Sequence, residues 1–124
     1  MRNRSGFTLI ELLVVLAIIA TLVTIVTPRY FNSVDRAKDA TLRQNLESMR
    51  TAIDQYYHDR NRYPTTLQEL VDQRYLRRIP TDPITERTDS WQVIQNTEGE
   101  NAGVVDVKSG AKGESHDGKP YADW

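Results

Sequence analysis

The apolar run from Phe7 to Thr27 constrains this chain more than any other feature. Beyond Phe7 it consists of Leu, Ile, Val, Ala and Thr, with one charged residue, Glu11. At about 1.5 Å per residue a helix of this length reaches roughly 31 Å, enough to cross the hydrocarbon core of a bilayer. The mean hydropathy of the whole chain is nevertheless -0.57, so the run is joined to a strongly polar remainder. Arg2 and Arg4 precede the run and predict a cytoplasmic N-terminus by the positive-inside bias. A secretory signal peptide fits poorly, because the run is longer than an ordinary apolar h-region and no A-x-A site follows it.

A plain single-span anchor would account for everything except Glu11. A carboxylate costs on the order of 2.5–3.5 kcal/mol at the centre of an inserted helix, and less towards its end, so Glu11 calls for a partner. The stretch Gly6-Phe7-Thr8-Leu9-Ile10-Glu11 resembles the processing site of type IV prepilins and type II secretion pseudopilins. That resemblance implies that a prepilin peptidase cuts between Gly6 and Phe7 on the cytoplasmic side and methylates the new amine of Phe7. It divides the chain into a cleaved leader (1–6), a transmembrane and assembly helix (7–28) and a periplasmic domain (29–124). Cleavage creates a cationic amine about one helical turn from Glu11, and opposite charges in a low-dielectric setting attract strongly. The resemblance implies that the Glu11 carboxylate meets the Phe7 amine of a neighbouring subunit during assembly.

Pro28 has two readings. It either ends the membrane helix or lies inside one longer helix, where it would remove a backbone donor and kink or loosen the turn. The family places a proline near here within one long helix. Beyond it, Val34, Ala37, Leu42, Leu46, Met49, Ile53 and Tyr56 or Tyr57 recur at spacings of three and four, predicting an amphipathic helix over about 30–60 that stops at Asn61 and Pro64. Thr66 to Glu69 has capping-box spacing and opens a second helix over about 66–74. The segment Ile79-Pro-Thr-Asp-Pro83 predicts a turn, and 91–95 with 103–108 predict an antiparallel hairpin packed on the long helix. The fold class is therefore α+β, a long N-terminal helix packed with a short helix and a small hairpin, ending in a Gly/Asp-rich loop.

The absence of cysteine excludes disulfides, thiol chemistry and Cys-ligated zinc, so the domain needs another source of rigidity. The tail offers Ser109, Glu114, Ser115, Asp117 and Asp123 among glycines, oxygen donors of the kind a calcium ion uses. A solvated loop held by Tyr121 and Trp124 is the competing reading. Along its whole length the order of elements resembles the G-type major pseudopilins of type II secretion, whose tail loop binds calcium through aspartates, serine and carbonyl oxygens. This implies a Ca2+ site at Asp117, Asp123 and Ser109. Lys112 departs from the family, placing a cation where an aspartate is usual.

His58 and His116 have no spaced metal partner, and Asp35 with Asp39, or Asp54 with Asp59, read as solvated helix-face charges. No nucleophile, base and oxyanion set can be named, so a non-enzyme is expected. A net charge of -1 gives no nucleic-acid footprint. Arg60, Arg62, Arg74, Arg77 and Arg78, interleaved with Tyr63 and Tyr75, instead suggest a contact with acidic residues of another subunit, such as Asp35, Asp39, Glu47 and Asp54. The resemblance implies as partners further copies of the chain, the prepilin peptidase, an inner-membrane assembly platform with its ATPase, minor pseudopilins, the lipid bilayer and an outer-membrane channel. It places the chain in the bacterial inner membrane, single-pass, with its C-terminal domain in the periplasm. The alternatives are a type IV pilus subunit, against which the missing cysteine pair counts, and a membrane-anchored binding module that never polymerises.

Overall fold

The computed structural model describes residues 5–124. The leader charges Arg2 and Arg4 lie outside the described residues. Element order is α1 (Leu9–Arg60), α2 (Leu67–Asp72), β1 (Gln92–Asn96) and β2 (Gly103–Lys108), with short 3-10 turns at Gly99–Asn101 and Tyr121–Asp123. This is the expected α+β arrangement. The chain falls into two units, one reaching to Val34 and one from Asp35 to Trp124.

Thr8 opens α1, its hydroxyl accepting the Glu11 N–H at 3.2 Å. The helix continues through Pro28, so the reading in which Pro28 ends it is excluded. Proline still removes a donor, leaving the Thr24 carbonyl without its intrahelical N–H. The membrane-compatible part has a mean hydropathy of 2.9 over 18 residues, and none of that window is buried. Its threonine hydroxyls turn inward on their own helix, Thr21 to the Ala17 carbonyl at 2.9 Å, Thr24 to Ala20 at 2.8 Å and Thr27 to Val23 at 2.7 Å.

In the second unit the buried stripe of α1 is Asp39, Leu42, Leu46, Met49, Ala52, Ile53 and Tyr56. The spacing of three and four marks this face, but its buried part starts later than expected: Ala37 is exposed and Val34 only half-buried. Of the two tyrosines, Tyr56 enters the core, while Tyr57 is half-buried and stacks on Tyr63 with ring centroids 4.5 Å apart. The helix stops where Asn61 adopts φ 58°, a left-handed conformation that asparagine tolerates at a helix end. Leu67 and Leu70 of α2, Trp91, Val104, Val107, Ala111 and Tyr121 complete the core.

The hairpin differs in detail from expectation. Its register shifts between Ile94 and Gln95, pairing Ile94 with Asp106 and Gln95 with Val104. Val105 is the extra residue of this bulge. An unbroken strand would send Val104 and Val107 to opposite faces, and the insertion re-phases β2 so that both reach full burial. β1 contributes nothing to the core, its Val93 and Ile94 remaining exposed.

Glu69 ties α2 to α1. Thr66 caps α2 as predicted, accepting the Glu69 N–H at 3.2 Å, but the Glu69 side chain reaches one residue further back than a capping box requires and takes the Thr65 N–H at 2.7 Å. It also accepts the Tyr56 hydroxyl at 2.5 Å and Arg62 at 3.2 Å. The hydrogen bond from Tyr56 chiefly lowers its pKa, burial opposes this, and the Thr65 and Arg62 donors add to the lowering, to about 2. The unfolded carboxyl takes up a proton near its ordinary value of 4.5, whereas the folded one resists until about 2. The stabilisation is therefore complete above pH 4.5 and is lost as pH falls towards 2. With screening by nearby water it amounts to about 1–2 kcal/mol. Glu69→Gln should flatten the acid limb of a stability-against-pH curve measured on the full-length chain in detergent.

Candidate functional site

Two regions carry the residues singled out from the sequence. The first is the start of α1. Phe7 is 89% exposed, Glu11 lies in the first helical turn, and the apolar side chains from Leu9 to Val26 all face outward. A helix with this surface has no place in water. It is completed only by lipid or by other helices, and Glu11 is the one charge it would carry into either.

Gly6 precedes this helix in open space. A Cβ built there would meet nothing within 4 Å, and its backbone is not left-handed. Folding does not demand glycine at this point. Gly110 is the opposite case, since a Cβ there would lie 2.0 Å from the Ser90 carbonyl oxygen.

The second region is the loop after β2. Asp39, only 2% exposed, accepts the Tyr121 hydroxyl at 2.7 Å and the His116 backbone N–H at 2.9 Å, and it also bonds the His116 ring at Nδ1. Burial pushes its carboxyl upward, but Tyr121 and the two His116 donors outweigh that and hold it below the usual carboxylate range. Burial, reinforced by Asp39, drives the Tyr121 phenol up. Arg50 sits where α1, β2 and the tail meet. It donates to Asp106 at 2.9 Å, the Val107 carbonyl at 3.0 Å and the Trp124 carbonyl at 2.8 Å. Arg43 covers the Trp124 ring at 4.6 Å.

The residues expected to bind calcium are not brought together. Ser109 is buried and donates to Asp82 at 2.5 Å while accepting the Ala111 N–H at 3.0 Å. Asp117 bonds Ser115 and faces Arg43 at 3.5 Å. Asp123 is exposed and lines a groove with Arg43, Arg50, Lys119 and Trp124. Among the described residues no group of three His, Cys, Asp or Glu side chains is placed to hold a metal ion. The set Ser109, Asp117 and Asp123 therefore does not fit the ion.

Asp39 is not the solvated helix charge that the sequence suggests but a buried one, the main correction to the site. Its signal was its phase: it sits three residues before Leu42 and seven before Leu46, on the apolar stripe. Asp82, which carries no such signal, is fully buried inside the proline turn and accepts the Ile84 N–H at 2.8 Å besides Ser109. His58 lies exposed on α1 as expected. Part of the arginine cluster is used internally, Arg60 bonding Gln73 at 2.6 Å and Arg62 bonding Glu69 at 3.2 Å, while Arg74, Arg77 and Arg78 are exposed.

An outward-facing apolar helix that continues as the spine of a small α+β domain defines a pilin-like subunit. Residues 1–27 match the family described as the prokaryotic N-terminal methylation motif, and residues 29–123 match type II secretion system (T2SS), protein G. The chain belongs to the type II secretion protein G family. It is 33% identical over 98 residues to the type II secretion system core protein G of Aeromonas hydrophila, covering 66% of this chain and 68% of that protein. Identity is 33% to the core protein G of Pseudomonas aeruginosa (66% and 69% covered) and 31% to that of Escherichia coli K12 (65% and 67% covered). No solved structure gives a significant match.

Arg50 supplies a direct test of how the loop is held. Arg50→Lys keeps the charge but loses the planar fork that serves three acceptors, and should cost about 1–2 kcal/mol in thermal or urea unfolding.

Proposed function

We propose that this chain is a structural, non-catalytic subunit of a type II secretion pseudopilus. It is held in the bacterial inner membrane by residues 7–28 with its domain in the periplasm, and polymerises with copies of itself to drive folded proteins outward. The observation that carries the reading is the continuity of α1, which joins a lipid-compatible span bearing one carboxylate to the core stripe of a protein G domain.

Processing by prepilin peptidase between Gly6 and Phe7, with methylation of Phe7, is the entry step. The open surroundings of Gly6 support it: a glycine that packing does not require fits a requirement imposed by the cleaving enzyme. The freed amine of Phe7 then pairs with Glu11 of an adjoining subunit, neutralising both charges as the helix leaves lipid. Assembly platform, minor pseudopilins and an outer-membrane channel complete the machinery. Exposed Arg74, Arg77 and Arg78 are suited to acidic side chains of a neighbouring copy, with Glu47 and Asp54 exposed on α1 as counterparts. Asp39, being buried, is removed from that set.

Intact-mass measurement of the mature protein should give a chain starting at methylated Phe7; an intact Met1 would favour a non-polymerising anchor. Glu11→Ala should be cleaved normally yet form few or no filaments, whereas wild-type filament yields would defeat the pairing. Deletion of the gene should remove a defined set of folded proteins from the culture supernatant, restored on complementation. An unchanged supernatant would point to a pilus subunit instead.

A further inference from the structure

Several oxygens of the tail are met by donors of the chain itself. Asp39 of α1 holds Tyr121 and both donors of His116. Lys108 donates its ammonium to the Ala122 carbonyl at 3.1 Å, and Arg50 takes the Trp124 carbonyl at 2.8 Å. The Ser109 hydroxyl is engaged by the buried Asp82, and Asp117 by Ser115 and Arg43. Calcium takes six to eight oxygens converging on one point. Here the carboxylates are spread along the loop, two of its carbonyls are already bonded to cations, and Lys112 adds another positive charge. A divalent ion would meet repulsion as well as too few ligands.

From this misfit we propose that an internal latch, Asp39 gripping His116 and Tyr121, closes the tail onto α1 and makes folding of this domain independent of calcium. A buried carboxylate without partners would be severely destabilising, so its position on the apolar stripe makes sense only with donors brought to it. Two residues of the tail supply all three. Tyr121 contributes to the core at the same time, its ring 5.2 Å from Trp124 in an edge-on arrangement. The lowered pKa of Asp39 agrees with a carboxylate that is ionised and well solvated by protein donors. Such a tie is present at any free-ion concentration. It does not depend on the secretion role, since a chain that never polymerised would keep it.

The test is thermal unfolding of the full-length chain in detergent, followed by the fluorescence of Trp91 and Trp124, with EGTA and with added calcium chloride. The wild type should melt at the same temperature in both. Asp39→Asn should lower Tm by roughly 5–10 °C, and Tyr121→Phe, which keeps the ring and deletes one hydrogen bond, by roughly 3–6 °C. If Asp39→Asn does not fold, the Tyr121→Phe shift decides alone. A wild-type Tm that rises with calcium or falls with EGTA overturns the proposal, as does a Tyr121→Phe protein that melts with the wild type.

Discussion

The structure depends on one stripe of α1. Asp39, Leu42, Leu46, Met49, Ile53 and Tyr56 recur on a single face, and α2, Trp91, β2 and the tail close over it. None of the other elements could stand alone. α2 is six residues long, and the sheet has only two strands, one of them exposed along its whole apolar content. Helices that short and isolated hairpins are marginal in water, so their order comes from docking on the long helix. Polar ties then fix the fit that apolar burial leaves loose. Glu69 fastens α2, Arg50 fastens β2, and Asp39 fastens the tail, each acting between α1 and an element distant in sequence.

This arrangement explains which parts were legible beforehand. Periodicities of three and four, the Thr66 cap and the Asn61 stop are local signals, and they located both helices and the end of α1. The apolar run and Gly6-Phe7-Thr8-Leu9-Ile10-Glu11 are local as well, and they carried the family. Long-range polar pairing has no such signature. Nothing near Asp39 in the chain reveals that His116 and Tyr121 will fold back to it, and nothing near Ser109 announces Asp82. The β2 bulge was hidden for a similar reason: Gly103-Val-Val-Asp-Val reads as a plain strand until Val104 and Val107 are both seen to be buried.

For calcium, the resemblance and the placement of the residues point in different directions. Spacing and composition of the tail do suit a hard cation, and Ser109, Asp117 and Asp123 remain in place as letters of the sequence. The substitution at Lys112 was the visible warning. What could not be read was the number of cations arriving from elsewhere, with Arg43 and Arg50 from α1 and Lys108 from β2 each bonded to or facing a loop oxygen. The same loop composition can be closed by a metal or by a protein's own donors, and only tertiary structure distinguishes them.

The inward-turned hydroxyls of Thr21, Thr24 and Thr27 bear on how easily the N-terminal helix can change surroundings. A polar side chain bonded to its own backbone needs nothing from lipid and nothing from a neighbouring subunit. Exchange of one environment for the other is then a swap of apolar contacts alone, nearly level in free energy along most of the span. The step in that otherwise flat profile falls at Glu11 and at the backbone donor that Pro28 removes. In a subunit that passes from lipid into a filament, those two places, rather than the bulk of the helix, would set the cost of release.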